Sequence, residues 1–291
     1  MSYRIEKSEA LSDALGRIAA EEIALALAQL GRANRAKAMH NTRKSLKRLR
    51  SLLRSLRVAF PKDLFHRENR RLAAAGRKIA PLRDVHVQLR TLDRLRAAAV
   101  PIAEETERSL RQREDAFMRK IPALRRAVRQ MLSASQGTLA SWPMKKATPG
   151  RLAAGLKRIY KRGRMALKAA RRKAAPETLH EWRKQAKTLG YGLTLIEGFG
   201  PKKAGAMIQQ AGQLCQALGD DHDLFLVLQA LRQENAAHPA RDYRRLSSRI
   251  SAKRVRLRKR AFKLGKKIYD QKPAAFERRL EAWLCRKRSK K

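Results

Sequence analysis

Residues 39–57 read MHNTRKSLKRLRSLLRSLR and predict a helix with two different faces. At about 3.6 residues per turn, the cations fall on one side of this helix and the leucines on the other. The cationic face carries His40, Arg43, Lys44, Lys47, Ser51 and Arg54. The apolar face carries Leu46, Leu49, Leu52, Leu53 and Leu56. The leucines are therefore predicted to enter a core, and the cations to remain available to a ligand.

The charge on this helix is of one sign only. Arg43 and Lys47 stand four residues apart, and so do Lys44 and Arg48, with no acid in residues 40–60. Like charges at this spacing destabilise a helix, whereas an ordinary solvated face mixes the two signs. The pattern favours an anion-binding face over a merely solvated one.

Helical periodicity continues through the rest of the chain, and neither alternating strand patterns nor hairpin signals are evident. The helices are predicted at residues 8–31, 36–59, 63–80, 82–99, 102–134, 150–172, 177–198, 203–218, 221–236 and 239–270. Gly, Pro and Ser cluster at 133–150, where the pattern lapses. We predict an all-α fold with two parts, residues 1–138 and residues 148–291, the second ending in a basic tail.

Three segments recur in the same order in both parts. An H-x-x-R-K-x-x-K pattern begins at His40 and again at His180, 140 residues later. An L-x-D-x-H pattern runs from Leu82 to His86 and from Leu218 to His222. An R-x-R-x-x-A-F pattern begins at Arg111 and at Arg256. This repetition predicts two tandem four-helix bundles of related sequence.

The second copy of the basic helix again predicts two faces. Its polar face carries His180, Arg183, Lys184, Lys187 and Tyr191, opposite Trp182, Ala186, Leu189, Leu193 and Ile196. Arginine engages phosphate oxygens with a planar fork, and lysine adds a mobile point charge. Asp84 and Asp220 follow apparent breaks in the helical pattern, so the simplest prediction is that they cap the next helix. A second possibility is that they orient a neighbouring Arg or His through an ion pair.

The composition points to a polyanionic partner. Lys and Arg total 70 against 25 Asp and Glu, a formal net charge of +45. Such a charge opposes a compact fold by self-repulsion unless a polyanion neutralises it. Two cysteines, Cys215 and Cys285, suggest neither a disulfide framework nor a zinc ribbon. With no signal-peptide pattern and no membrane-span pattern, the expectation is a cytoplasmic protein without a cofactor.

The doubled basic helices and the two L-x-D-x-H segments resemble the CHAD family, the conserved histidine α-helical domains. The resemblance covers nearly the whole chain. It implies one domain of two four-helix bundles related by a pseudo-two-fold axis, with basic helices from both lining a central groove or pore. It also implies inorganic polyphosphate as the ligand, binding without catalysis, and an association with polyphosphate or storage granules for some members.

Carried over by motif position, the resemblance implies a set of binding residues. They are His40, Arg43, Lys44, Lys47, Arg50, His180, Arg183, Lys184 and Lys187, with Arg111, Arg113, Arg256 and Arg258 as weaker candidates. Arg54 is added because it lies on the same cationic face of its helix. Asp84, His86, Asp220 and His222 are expected to have structural or orienting roles. Gly190 and Thr188 stand where the first copy has Arg50 and Arg48, so the second half is expected to bind less tightly. His86 also departs from the aspartate more usual there.

Two alternatives remain open. A nucleic-acid binder would explain the charge and the basic segment 251–270, but no helix-turn-helix, zinc-finger or RNA-binding signature appears. Nonspecific nucleic-acid binding is expected from charge alone. A metal-dependent phosphohydrolase could draw on His40, Asp84, His86, His180, Asp220, His222 and Asp223. No H-E-x-x-H spacing occurs, and the cations beside His40 would repel a divalent metal.

Overall fold

A computed structural model describes residues 3–6, 8–32, 35–97, 104–200, 202–237 and 243–285. Within them the chain forms ten α-helices, joined by turns that include short 3-10 segments, and no strand. The first half contains α1 (Leu11–Leu30), α2 (Arg35–Ser55), α3 (Lys62–Lys78), α4 (Ala80–Ala97) and α5 (Glu104–Gly137). The second contains α6 (Pro149–Arg172), α7 (Pro176–Leu195), α8 (Lys202–Ala237), α9 (Tyr243–Ile268) and α10 (Pro273–Cys285). The predicted all-α class is confirmed.

Two details of the predicted helices are wrong. Residues 203–236 were expected to form two helices, but α8 runs unbroken through Gly219, because a single glycine costs a helix only about 1 kcal/mol. Helix α10 was not predicted at all. The predicted helix ends at 98–99, 102–103 and 239–242, and the basic tail at 286–291, lie outside the described residues.

The lapse in the sequence pattern near residue 140 coincides with a real break. Helix α5 ends at Gly137, two 3-10 turns follow, and α6 begins at Pro149. Thr148 caps α6, because its side chain accepts a hydrogen bond from the Arg151 backbone N–H at 3.2 Å. Proline in the first turn of α6 and of α7 suits a position whose N–H needs no helical partner.

The core joins the two halves of the sequence. The leucines predicted to be buried on α2 and the apolar face predicted on α7 lie in one hydrophobic cluster. A smaller cluster brings together α4, α5, α8 and α9, for example through Val85, Leu110, Leu228 and Ile250. Helix α2 packs against both α6 and α7. The basic faces of α2 and α7 are therefore held in fixed relation by shared packing.

The contact between α2 and α7 is close. The Ser51 hydroxyl donates a hydrogen bond to the Thr188 carbonyl at 2.8 Å, so Ser51 is buried in the interface although the sequence placed it on the cationic face. A Cβ on Gly155 of α6 would lie 1.7 Å from the Ser55 carbonyl oxygen, so only glycine fits there.

No helix among the described residues is long and apolar enough to cross a membrane.

Candidate functional site: a cationic cavity between α2 and α7

A cavity of about 230 Å³ lies where the polar faces of α2 and α7 meet. It is lined by His40, Arg43, Lys44 and Lys47 of α2 with Lys187 and Tyr191 of α7. We call it the α2–α7 cavity. Lys47 and Lys187 occupy equivalent positions of the two sequence copies, 140 residues apart. Both copies therefore contribute cations to one cavity.

The side chains that line the α2–α7 cavity differ in their exposure to solvent. His40 and Lys44 are exposed, whereas Arg43, Lys47 and Lys187 are partly buried. Arg43 Nη1 donates a hydrogen bond to the Gly76 carbonyl oxygen at 3.4 Å, which ties this guanidinium to the end of α3. The Lys187 ammonium lies 6.0 Å from the Tyr191 ring centroid. The cavity thus combines partly buried cations with the exposed His40 and Lys44.

Tyr191 adds a neutral hydrogen-bond donor to this charged wall. Burial raises the pKa of its phenol to about 12, despite the opposing effect of the Arg48 charge. The hydroxyl therefore keeps its proton at neutral pH and can donate to an anion. A phenolate, which would repel an anion, is excluded at that pH.

Three predicted residues of α7 do not line the α2–α7 cavity. The His180 ring lies beside His222 of α8, with ring centroids 4.9 Å apart. Arg183 is buried, and its charge acts on Cys215 of α8, whose pKa burial raises to about 11. Lys184 is exposed and bonds to Glu181 at 2.6 Å. His180 is nevertheless on the same helix face as Lys187, about 10 Å nearer the N-terminus of α7.

The predicted residues beyond the two basic helices occupy other surfaces. Arg111 is exposed and bonds to Glu107 of its own helix. The Glu107 carboxylate also bonds to Arg96 of α4. Arg113 and Arg256 are exposed, and Arg258 is tied to Asp221 at 3.0 Å. Further along α2, Arg50 donates to Asn69 at 3.3 Å, and its burial lowers its pKa to about 10. Arg54 lies at a second cavity, described below.

The capping role predicted for Asp84 and Asp220 is wrong, because neither residue stands at a helix start. Asp220 is in the middle of α8 and accepts a hydrogen bond from Gln216 Nε2 at 2.8 Å. Asp84 is inside α4, and its negative charge acts on His180 against the larger effect of burial, which lowers the pKa of that imidazole. The alternative orienting role stays a prediction. His86 contacts Glu114 at 3.2 Å.

The sequence reasoning missed Asp221, which ties α8 to α9. Its carboxylate accepts hydrogen bonds from Arg254 and Arg258, each at 3.0 Å, and is buried. In the first copy the equivalent position is the buried Val85, so the repeat gave no hint of a charge there. It also missed Glu22 of α1, a buried carboxylate that binds Arg48 at 2.7 Å.

Fold and cavity together define an all-helical protein whose duplicated halves share one strongly basic surface. A sequence model of the CHAD domain matches residues 9–232, so the chain belongs to the CHAD family. Its fold is similar to the crystal structure of the CHAD domain from the plant Ricinus communis, with a TM-score of 0.57 and 19% sequence identity over 97% of both chains. No curated protein matches the sequence.

Proposed function

We propose that this protein binds inorganic polyphosphate, without chemical conversion, on the basic surface centred on the α2–α7 cavity. The observation that carries the proposal is the meeting of Lys47 and Lys187 in one cavity with Arg43 and Lys44. Separate halves of the chain supply these cations, and one packed interface holds them together. Membership of the CHAD family, with its polyphosphate-binding members, supports the same ligand class.

The chemistry of the surface suits a polymer of phosphates without bases. Helix α2 contains no acid, so its positive charge is not neutralised within the helix. Tyr191 is the single Phe, Tyr or Trp side chain among the described residues that line the α2–α7 cavity. Proteins that bind single-stranded nucleic acid without sequence preference usually offer several stacking rings along a basic groove. Ionic contacts to phosphate need no such platform.

The proposal is of binding without catalysis. Within the described part of the chain, no group of three or more His, Cys, Asp and Glu is placed to hold a metal ion. The cations around His40 would also repel a divalent metal. Polyphosphate incubated with the protein should therefore keep its chain length, and time-dependent shortening would point to a hydrolase instead.

The test is a binding titration with polyphosphates of defined length, with RNA as a competitor, at physiological ionic strength. Affinity should rise with chain length and fall steeply with added salt, because each neutralised phosphate releases counterions. Polyphosphate should displace RNA. If RNA binds and long polyphosphate does not displace it, the nucleic-acid alternative is correct.

A variant that lacks three cations of the α2–α7 cavity tests whether polyphosphate binds there. Arg43→Gln, Lys44→Gln and Lys47→Gln together should weaken polyphosphate binding at least about 100-fold, since each charged hydrogen bond contributes roughly 1.5–3 kcal/mol. The matched control is Lys120→Gln, Arg126→Gln and Arg129→Gln on α5, which removes three exposed charges elsewhere. Circular dichroism checks that both variants fold. Equal losses in the two variants would show that net charge, and not this cavity, determines binding.

A further inference from the structure

A second cavity, of about 280 Å³, lies between α2, α3, α6 and α7. Four arginines line it: Arg54 of α2, Arg57 of the turn that follows α2, and Arg158 and Arg162 of α6. The remaining lining residues are Phe65, His66, Asn69, Ile159 and Gln185. We call it the arginine cavity. Among the described residues, none lines both this cavity and the α2–α7 cavity.

The charges of the arginine cavity are not balanced by acids. None of its described lining residues is Asp or Glu. Burial, and then the nearby charge of Arg162, lower the pKa of Arg54. Glu181 acts on Arg54 in the opposite direction, but its carboxylate already accepts bonds from Lys184 and Gln185, each at 2.6 Å. Like charges are thus held together around an open volume at a cost in stability.

Two of the four guanidinium groups are fixed in position. Arg54 Nη1 donates to the Thr188 hydroxyl at 3.3 Å. Arg57 Nη1 donates to the Phe60 carbonyl at 3.2 Å, and its guanidinium lies 4.7 Å from the centroid of the Phe65 ring. Arg158 and Arg162 stand four residues apart and therefore on one side of α6. Groups fixed before binding lose less conformational entropy when a ligand arrives.

The arginine cavity takes its charges from both halves of the sequence. Arg54 and Arg57 belong to the first half, and Arg158 and Arg162 belong to the second. Thr188, whose hydroxyl accepts the bond from Arg54, stands where the first copy has Arg48. A neutral side chain at that position leaves room for the Arg54 guanidinium beside α7.

We propose that the arginine cavity is a separate binding site for a compact phosphate group that carries two negative charges. Four converging guanidinium groups match the several oxygens of such a group through paired hydrogen bonds. The cavity is slightly smaller than the roughly 300–1,000 Å³ pockets that hold drug-sized ligands. The group comes either from free pyrophosphate or from the terminal phosphate of a polyphosphate chain. The second source rests on the proposed function, and the first does not.

The first experiment is a calorimetric titration of the full chain with pyrophosphate. Arg158→Gln with Arg162→Gln should weaken pyrophosphate binding at least tenfold. The matched control is Lys161→Gln with Lys168→Gln, which removes two exposed charges from the same helix outside the arginine cavity and should change binding less than about twofold, as expected for charges that make no direct contact. Arg158 and Arg162 are exposed, and their removal relieves repulsion between like charges. The midpoint temperature of thermal unfolding should therefore not fall. Unchanged pyrophosphate affinity in the arginine variant overturns the proposal.

The second experiment separates the two cavities and the two sources. The variant Arg43→Gln, Lys44→Gln, Lys47→Gln should keep pyrophosphate binding while losing long polyphosphate. If it loses both equally, the cavities form one site and the proposal is overturned. Esterifying both ends of polyphosphate should weaken its binding to the unaltered protein, but not to the arginine variant, if the chain end is the ligand. An effect of the arginine variant on pyrophosphate alone identifies free pyrophosphate instead.

Discussion

Helices α2 and α7 began from the same sequence pattern but have diverged in what surrounds their cations. Helix α2 has no acid, and four of its cationic or histidine side chains line the α2–α7 cavity. Helix α7 contributes one cation, Lys187, and carries Glu181 where α2 has Asn41. Glu181 ties up Lys184, the equivalent of Lys44. No acid of α2 neutralises the charge of that helix, whereas Glu181 partly neutralises the charge of α7.

What α7 has lost in charge it has gained in close packing. Gly192 stands where α2 has the buried Leu52, and a Cβ there would lie 2.6 Å from a methyl carbon of Leu156. The neutral Thr188 replaces Arg48, and its hydroxyl accepts a hydrogen bond from Arg54 Nη1 at 3.3 Å. The equivalent helices therefore differ: α2 supplies most of the cations at the α2–α7 cavity, whereas α7 packs closely against α2 and α6.

The largest expected effect tests the packing side of this comparison. Gly155→Ala should lower the free energy of unfolding by about 3 kcal/mol, because the new methyl group collides with the Ser55 backbone, which cannot move aside as a side chain can. Gly212→Ala on α8, where nothing lies within 4 Å, should instead stabilise by up to about 1 kcal/mol. Chemical denaturation measures both. Similar stability for the two variants would show that α2 and α6 are not packed this closely.

The second prediction concerns a charge that the second half has and the first lacks. Asp221→Asn should destabilise the protein by roughly 2 kcal/mol, because it leaves Arg254 and Arg258 partly buried without their carboxylate. Asp220→Asn is the matched control, since the neighbouring carboxylate bonds only to Gln216 on its own helix among the contacts described for it. Its effect should stay within about 0.5 kcal/mol. If the two variants were destabilised equally, the ion pairs of Asp221 would not be the contacts that stabilise the fold.

The sequence predicts the helices, the buried leucine face of α2 and the duplication, because these depend on local periodicity and on repeated motifs. It predicts the cations of α2 for the same reason. It could not predict that Asp221 is buried, since its partners lie 33 and 37 residues further along the chain. It also could not show that Lys187 reaches the cations of α2 while His180 faces α8. Such pairings depend on helix packing, which periodicity does not fix.

One available signal was overlooked. Residues 149–172 contain no acid, just as α2 contains none, and they include Arg158 and Arg162 at four-residue spacing. The pattern that predicts an anion-binding face on α2 occurs equally in this helix. The sequence could therefore have indicated the α6 wall of the arginine cavity, although not that α6 faces Arg54 of α2 across it.

A third prediction makes α7 more like α2. Glu181→Asn should tighten polyphosphate binding about threefold, because it releases Lys184 and removes one negative charge near the ligand. Bonds from Lys184 and Gln185 hold the pKa of Glu181 below its ordinary value even though burial raises it, so Glu181 is charged at neutral pH. Glu177→Asn, at an exposed position one turn earlier, is the control for net charge. If both variants tighten binding equally, the pairing of Lys184 has no role.

The smallest expected effect is the contribution of His180 to the pH dependence of folding stability, with and without bound polyphosphate. Partial desolvation, followed by the charges of Arg183 and Lys184, lowers the pKa of this imidazole below its ordinary value of 6.5. The unfolded chain therefore binds the proton more strongly, so His180 should reduce stability as pH falls below about 6.5 and have no effect well above it. Unfolding measured at pH 7.5 and pH 5.5 should show a larger loss for the unaltered protein than for His180→Gln. Bound polyphosphate should shrink that difference, because a nearby anion favours the imidazolium. An identical pH dependence in the two proteins would mean that His180 titrates as it does in the unfolded chain.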